Sequence, residues 1–534
     1  MPDTAPAPRR GPLLRRGAPS GHGQLSRRGQ LRALRPAAVG RWLWRRGDQA
    51  LDALACGPVM TGVVGSLLLV LGSLTPAFLP RASQGGDLIR WPWLGTAVLL
   101  LGVALLLAAW FQLRPGAGAL TRSGDRPRYG AVLALWSAPL VCGPPILSGD
   151  AYAYAAQGWM LVHGLDPYQM GPGALPSSWA DQVDPIWLET PTPYGPLSLT
   201  LQYVTVSWAG DNSPYLAAWL MRLWALVGTA LLAWSIPRIA KALGRDAVTA
   251  TWLGVLNPIV LLHFVGGSHN DALMVGFMAF GVHLAVRRRL FWAAVMIGLA
   301  AGVKQPAAMM VVPITVLALN PAPDPDRPVR AWPTPTQLWN CVWALVVVVA
   351  TFVLCSTVTG IGFGWIAATN VPGGAITLSP PTQLGVGLQL IFFHLGWNAA
   401  SAAVLGIVRT VALAIAGIII AWLCLRVAAV KPMTFLVASL FTLVLGGPAM
   451  HAWYMLWPGV FVGLLPYRPW VWWLTIGLTT FWSAYAVGDV AIRDHVGWLA
   501  VVAVVVIVAI AGWFCRRELP GIRRWFAPSP TAGA

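Results

Sequence analysis

Charge is what this chain has least of. Asp, Glu, Lys and Arg together make up 10% of its 534 residues, against the roughly 25% of a soluble protein. A water-facing surface cannot be covered by so few. Acidic residues are the scarcer sign, 18 against 36 Lys and Arg. Cysteine occurs six times, at Cys56, Cys142, Cys341, Cys355, Cys424 and Cys515, with no CxxC pair. That scatter excludes a disulfide or thiolate-metal framework and leaves small core hydrophobes. No HxH or HExxH spacing is present, and His269 with Asp271 is a poor ligand pair, so no metal is expected. Apolar stretches run continuously and do not alternate, which excludes barrel strands. No internal repeat and no soluble basic domain are visible. The net charge of +18 therefore reads as membrane orientation and not as a nucleic-acid surface.

What is present in quantity is apolar helix. Hydrophobic residues make up 57% of the chain, in runs of about 20 residues, long enough to cross a bilayer. The expected fold is an all-α polytopic membrane protein with about 14 (11–14) transmembrane helices. Residues 1–48 form a basic, Arg/Gly/Pro-rich cytoplasmic tail without signal-peptide character. The membrane domain occupies 49–515, and a short cationic cytoplasmic tail fills 516–534. Spans are expected near 59–79, 93–113, 131–147, 214–236, 247–266, 271–286, 290–303, 305–319, 338–358, 402–424, 433–449, 451–465, 470–487 and 497–514. Segments 148–212 and 359–400 are expected outside, with Leu197–Ala209 lying in the interface. Both termini are then cytoplasmic, and the strongly cationic loops share their side.

The stretch Leu147–Pro196 interrupts this pattern. It holds five of the 18 acidic residues (Asp150, Asp166, Asp181, Asp184 and Glu189), four tyrosines and three tryptophans. Carboxylates accept hydroxyl hydrogen bonds and flat rings cover the apolar face of a sugar, so the mixture suits a carbohydrate. The alternative for its aromatics is an interfacial belt. Asp150, followed by Tyr152 and Tyr154, is read either as a general base with a modestly raised pKa or as the N-cap of a helix starting at Ala151. Asp166-Pro167-Tyr168 reads as a turn. His269-Asn270-Asp271 is a polar triplet at the end of a span, a functional hypothesis by default. Lys304 either snorkels to the interface or holds a phosphate. Arg409 and Arg222 lie far enough into spans to need partners. His451, Trp453 and Tyr454 read as interfacial anchors.

These motifs carry a resemblance. Asp150-Ala-Tyr152-Ala-Tyr154, Gln157-Gly158, Gly164-Leu-Asp166-Pro167-Tyr168, Asp184-Pro-Ile-Trp187 and Pro193-Tyr194-Gly195-Pro196 resemble the first-loop signature of the actinobacterial polyprenol-phosphate-mannose-dependent α-1,6-mannosyltransferases, the MptA/MptB family. Gly266-Gly267-Ser268-His269-Asn270-Asp271 and Gly302-Val303-Lys304 are similar to its next two motifs. The resemblance implies a GT-C-type membrane enzyme with no cofactor. It would take mannose from polyprenyl-phosphate-mannose and extend an α-1,6-mannan on the outer face, the core of lipomannan and lipoarabinomannan. The implied partners are that donor, a mannan or phosphatidylinositol-mannoside-type acceptor and membrane lipid. In this reading Asp150 is the base, and Lys304 and Arg409 meet the phosphate. Tyr152, Tyr154, Gln157, Asp166, Tyr168, Asp184, Trp187, Tyr194, His269, Asn270 and Asp271 line the substrate site. Two alternatives stay open: a transferase for another polyprenyl-phosphate sugar, and a lipid or sugar transporter. The one-sided placement of the polar residues and the lack of a repeat argue against a transporter.

Overall fold

Proline marks where many of the helices begin. It has no N–H for an intrahelical bond, so the first turn tolerates it and the interior does not. In the computed structural model, residues 47–74, 91–210, 213–320, 333–366 and 377–493 are described, with a few further positions up to 509. The chain runs through α1 (Gly57–Gly72), α2 (Pro92–Gln112), α3 (Tyr129–Cys142), α4 (Asp150–Val162), α5 (Pro196–Ala209), α6 (Pro214–Leu220), α7 (Arg222–Ala242) and α8 (Ala247–Gly254). A π-helical turn, Val260–Gly266, leads into α9 (Asp271–Val286), α10 (Leu290–Val303), α11 (Val311–Leu319) and α12 (Pro335–Val358). Last come α13 (Pro380–His394), α14 (Asn398–Leu423), α15 (Pro432–Gly446) and α16 (Pro469–Arg493). Proline stands in the first turn of α1, α2, α5, α6, α12, α13 and α15. No strand occurs among the described residues.

The all-helical expectation agrees with this architecture. By length and composition four helices can cross a membrane: Trp93–Gln112, Pro214–Ala242, Pro335–Val358 and Asn398–Ala428; a bent pair near the start would make a fifth. Several expected spans are interrupted for local reasons. The one at 131–147 stops at Cys142, ahead of Gly143-Pro144-Pro145. The one at 247–266 breaks at Asn257-Pro258 and resumes as the π-helical turn. The one at 451–465 is a chain of short turns, Ala452–Met455, Leu456–Gly459 and Val462–Leu464, around Pro458. Within 359–400, α13 is a helix that hairpins onto α14. The tails, the 321–332 loop and most of the last expected span lie outside the described residues.

The helix α9 is buried along most of its length and packs on α7, α10 and α11. A helix apolar all round belongs either in a core or in lipid. By contrast α14 leaves Ile407, Val411, Leu413, Ile415 and Ile418 exposed, the character of a lipid-facing surface. Where α7 crosses α9, backbones touch: a Cβ on Gly228 would overlap the Ala272 carbonyl, and one on Gly276 the Gly228 carbonyl. Such small-residue crossings let apolar helices pack closely without a hydrophobic drive between them. We expect Gly276→Val to cost more than the about 1–3 kcal/mol typical of overpacking, because the overlapped atoms are backbone. It should aggregate on size exclusion in detergent, whereas Gly417→Val, on open α14 surface, should run as the parent does. A monodisperse Gly276→Val with parental melting would contradict this packing.

Candidate functional site

Helix geometry puts residues i, i+3, i+4 and i+7 on one face. On α4 those are Asp150, Ala153, Tyr154 and Gln157; Asp150, Ala153 and Gln157 line one cavity of about 50 Å³, and Tyr154 stands outside its lining. The facing walls come from Trp187, Thr190, Pro191, Pro193 and Tyr194 in the following loop, and from Ala449, His451, Trp453 and Tyr454 beyond α15. Asp150 is the first residue of α4 and does not cap it; the N-cap is Gly149, with no side-chain bond. Its side chain is 15% exposed, and it is the cavity's one carboxylate among the described residues.

His269 is fully buried behind it, with Nδ1 3.3 Å from Asp150 Oδ2, a close contact short of a well-aligned hydrogen bond. The Tyr154 hydroxyl is directed between Asp150 Oδ2 and Asn270 Oδ1, 3.4 Å from each. Asn270 Nδ2 in turn donates to Ser198 Oγ at 3.1 Å. Trp453 is sandwiched between rings, 3.8 Å from His269 and 4.5 Å from His451. Burial pushes the Asp150 carboxyl up, but His269, His451 and the Lys304 ammonium together outweigh it and hold the pKa down, at about 2. The expectation of a modestly raised value is corrected here: burial alone would raise it, but the surrounding positive potential reverses the sign. Burial lowers His451 to about 4, so its ring is neutral at pH 7.

Lys304 neither snorkels nor stands free. It is buried, and its Nζ donates to Asp271 Oδ1 and Oδ2 at 3.0 and 3.2 Å. Asp271 opens α9, where the helix dipole favours a negative charge, and also accepts from Trp457 Nε1 at 2.7 Å. Rings cover the ammonium, with Tyr454 at 4.3 Å, Trp457 at 5.2 Å and Tyr194 at 5.5 Å. Two of those rings, Tyr194 and Tyr454, are walls of the cavity, so Lys304 sits behind the lining and not in it. Arg409 is not among the lining residues either; its Nε donates to Thr382 Oγ1 at 2.9 Å.

The other expected residues divide into lining and support. Gln157, Trp187 and Tyr194 line the cavity, and Gln157 Oε1 accepts from Thr192 Oγ1 at 3.2 Å. Tyr168 props the wall from behind, its hydroxyl donating to the Tyr194 carbonyl at 2.9 Å. Asp166 closes its own turn, accepting from the Tyr168 and Gln169 nitrogens, both at 2.9 Å. Asp184 caps the single turn Pro185–Leu188. Tyr152 is packed in the apolar cluster under α4 and does not line the cavity. His451, Trp453 and Tyr454, expected as anchors, are cavity wall. A His, a Trp and a Tyr within four positions after Gly446-Gly447-Pro448 was the signal for them. His263, buried 5.7 Å from the His269 ring, had no signal beyond an isolated His in an apolar run. Besides Arg288, two non-glycine residues among those described have left-handed backbones, Leu147 (φ 60) and Ser268 (φ 57). They directly precede Ser148-Gly149-Asp150 and His269, and each conformation costs on the order of 1–3 kcal/mol.

The Asp271–Lys304 pair yields a stability test. Asp271→Asn leaves a buried ammonium without its counter-charge and should cost about 3–5 kcal/mol. Adding Lys304→Met should recover much of the lost melting temperature. A double variant no more stable than Asp271→Asn would show that the pair is not the reason for the loss.

Both halves of this site fall within known sequence families. The family model described as "Alpha-(1->6)-mannopyranosyltransferase, N-terminal domain" matches residues 59–320, which include Asp150, His269, Asp271 and Lys304. The MptB C-terminal domain model matches 381–517, which include His451, Trp453 and Tyr454. Alpha-(1->6)-mannopyranosyltransferase A of Mycobacterium tuberculosis is 33% identical over 75% of this chain and 79% of its own length. A probable alpha-(1->6)-mannopyranosyltransferase of Mycolicibacterium smegmatis is 29% identical over 77% of this chain and 78% of its own. Alpha-(1->6)-mannopyranosyltransferase B of Corynebacterium glutamicum is 28% identical over 79% of this chain and 73% of its own. With the cavity walls inside the two matched regions, and that extent of identity, the chain belongs to the alpha-(1->6)-mannopyranosyltransferase family.

Proposed function

We propose that this protein is a plasma-membrane mannosyltransferase that moves mannose from polyprenyl-phosphate-mannose to a growing α-1,6-mannan, at a site on the outer face. The observation that carries the reading is Asp150, the cavity's one carboxylate among the described residues, set among Trp187, Tyr194, Trp453 and Tyr454. Carboxylate and aromatic walls are what a sugar hydroxyl and a sugar face require. The outer-face assignment rests on the cationic loops and tails. The lipid-linked donor is supported by the lack of a nucleotide-binding motif. The acceptor is a mannan or a phosphatidylinositol-mannoside-type glycolipid, as the resemblance of the first-loop motif implies.

The reaction is a single displacement without a metal. The acceptor's primary hydroxyl oxygen bonds to mannose C1 as the C1–O bond to the phosphate breaks, inverting a β-linked donor to an α-linked product. The hydroxyl proton passes to Asp150, and the electron pair of the broken bond leaves with the polyprenyl phosphate. A carboxylate held near pKa 2 is a weak base towards a free alcohol. It becomes adequate once bonding to C1 has made that oxygen acidic, so proton transfer is late. Lys304, behind Tyr194 and Tyr454, supplies positive potential to the departing phosphate. Tyr154 and Asn270 orient Asp150.

Asp150→Asn should lower transfer from polyprenyl-phosphate-mannose to short α-1,6-mannosides by about 10²–10⁴-fold, with EDTA leaving the parent rate unchanged. Near-parental transfer by this variant sinks the base assignment, and loss of parental activity in EDTA sinks the metal-free step.

Asp150 must be ionised to accept the proton, so activity is lost as pH falls through its pKa. The titratable groups facing it are His269, Tyr154, His451, Lys304, Tyr194, Tyr454 and His263. Removing the first of them lets burial count for more and raises that pKa. In His269→Ala the acid limb of kcat/KM should therefore move to higher pH by about one unit. A pH profile superimposable on the parent's would show that His269 does not tune the base.

A further inference from the structure

Arg222 is the first residue of α7 and is 1% exposed. Among the described residues no carboxylate pairs with it. A guanidinium carries five N–H donors, and here all five reach backbone carbonyls. Nε donates to Val265 at 3.0 Å, Nη1 to Val141 at 3.0 Å and Gly143 at 2.8 Å, and Nη2 to Pro144 at 2.9 Å and Gly266 at 3.2 Å. These carbonyls lie at the end of α3 and in the two residues that follow it, Gly143 and Pro144, and in the last two residues of the π-helical turn. Helix ends leave such carbonyls without intrahelical donors, and a cation there is favoured by the dipole. One side chain closes two helix ends at once.

Both ends continue straight into the site. From α3 the chain passes through Gly143–Gly149 to Asp150, and from the π-helical turn through Gly267 and Ser268 to His269. The Ile146 amide donates to the Gly266 carbonyl at 3.0 Å and joins the two segments directly. Each segment also contains one of the left-handed residues, Leu147 or Ser268, a conformation that persists only where its surroundings over-determine it. Arg222 itself does not line the cavity.

We infer that Arg222 is a positioning residue for catalysis: it sets the two helix ends so that Asp150 and His269 meet across the junction. The inference rests on Asp150 acting as the base. Lysine keeps the charge but has three donors on a single nitrogen and cannot span both ends.

The test compares purified parent, Arg222→Lys and Ile146→Ala for melting temperature, kcat and KM for polyprenyl-phosphate-mannose, the pH profile, and hydrogen exchange over 143–150 and 263–270. Folded Arg222→Lys should lose at least tenfold in kcat with KM within threefold. Its acid limb should shift up as Asp150 parts from His269, and both segments should exchange faster. A folded variant with parental kcat, pH profile and exchange overturns the inference. If Arg222→Lys does not fold, Ile146→Ala, which loosens the same junction and keeps the charge, should show the same kcat loss and shift; parental behaviour there overturns it equally. A parent inactive on polyprenyl-phosphate-mannose counts against the proposed donor and not against the clamp. In that case the exchange data decide alone: unchanged protection at 143–150 in both variants refutes it.

Discussion

A polar group inside an apolar helical bundle has no water to fall back on, and must find its partner within the protein or not be there at all. That constraint shapes this molecule from the centre outward. Lys304 meets it by pairing with Asp271 under a cover of aromatic rings. Arg222 meets it without any counter-ion, by taking up the free carbonyls at two helix ends. Asp150 meets it only in part, with His269 and Tyr154 on its inner side and the cavity on the other. Of these three groups Asp150 is the one that opens onto the cavity, which is why it is the one proposed for the chemistry.

The same enclosure sets the electrostatics. Burial disfavours charge on Asp150, yet the carboxyl is held well below its ordinary range because His269, His451 and Lys304 converge on it. Neutral His451 and paired Lys304 divide the wall between them, one touching the cavity and the other a ring's thickness behind it. A carboxylate of this kind stays ionised at all ordinary pH and, in the proposed role as base, would release its proton readily afterwards. That suits a displacement in which the leaving group departs early and the hydroxyl proton is lost late.

Much of the site was legible from local pattern. Asp150, Tyr154 and Gln157 share a face by helical spacing; Asp150 and Gln157 line one cavity, and the Tyr154 hydroxyl is directed at Asp150. His269 and Asp271 of the triplet are buried at a helix start, with Asn270 half-buried between them. What local pattern missed was long-range. Asp271 and Lys304 looked like separate candidates, and their pairing appears only when α9 and the end of α10 come side by side. His451, Trp453 and Tyr454 looked like anchors because nothing in their own segment announces a partner 180 residues upstream at His269, where the rings stack. Asp166 and Asp184 sit in the turns that their Gly and Pro neighbours announced, and both side chains close those turns.

By itself the sequence determined the class: too little charge for a water-facing surface, apolar runs in number, and one polar, aromatic stretch beginning at Asp150. Those properties depend on composition and on spacing within single helices, which any fold of this chain must inherit. The tertiary structure alone decided which way the Asp150 pKa moves, which carboxylate neutralises Lys304, and which carbonyls hold Arg222. Each of these depends on distances of a few ångströms between residues far apart in the chain. Coulomb and hydrogen-bond energies change over just those distances.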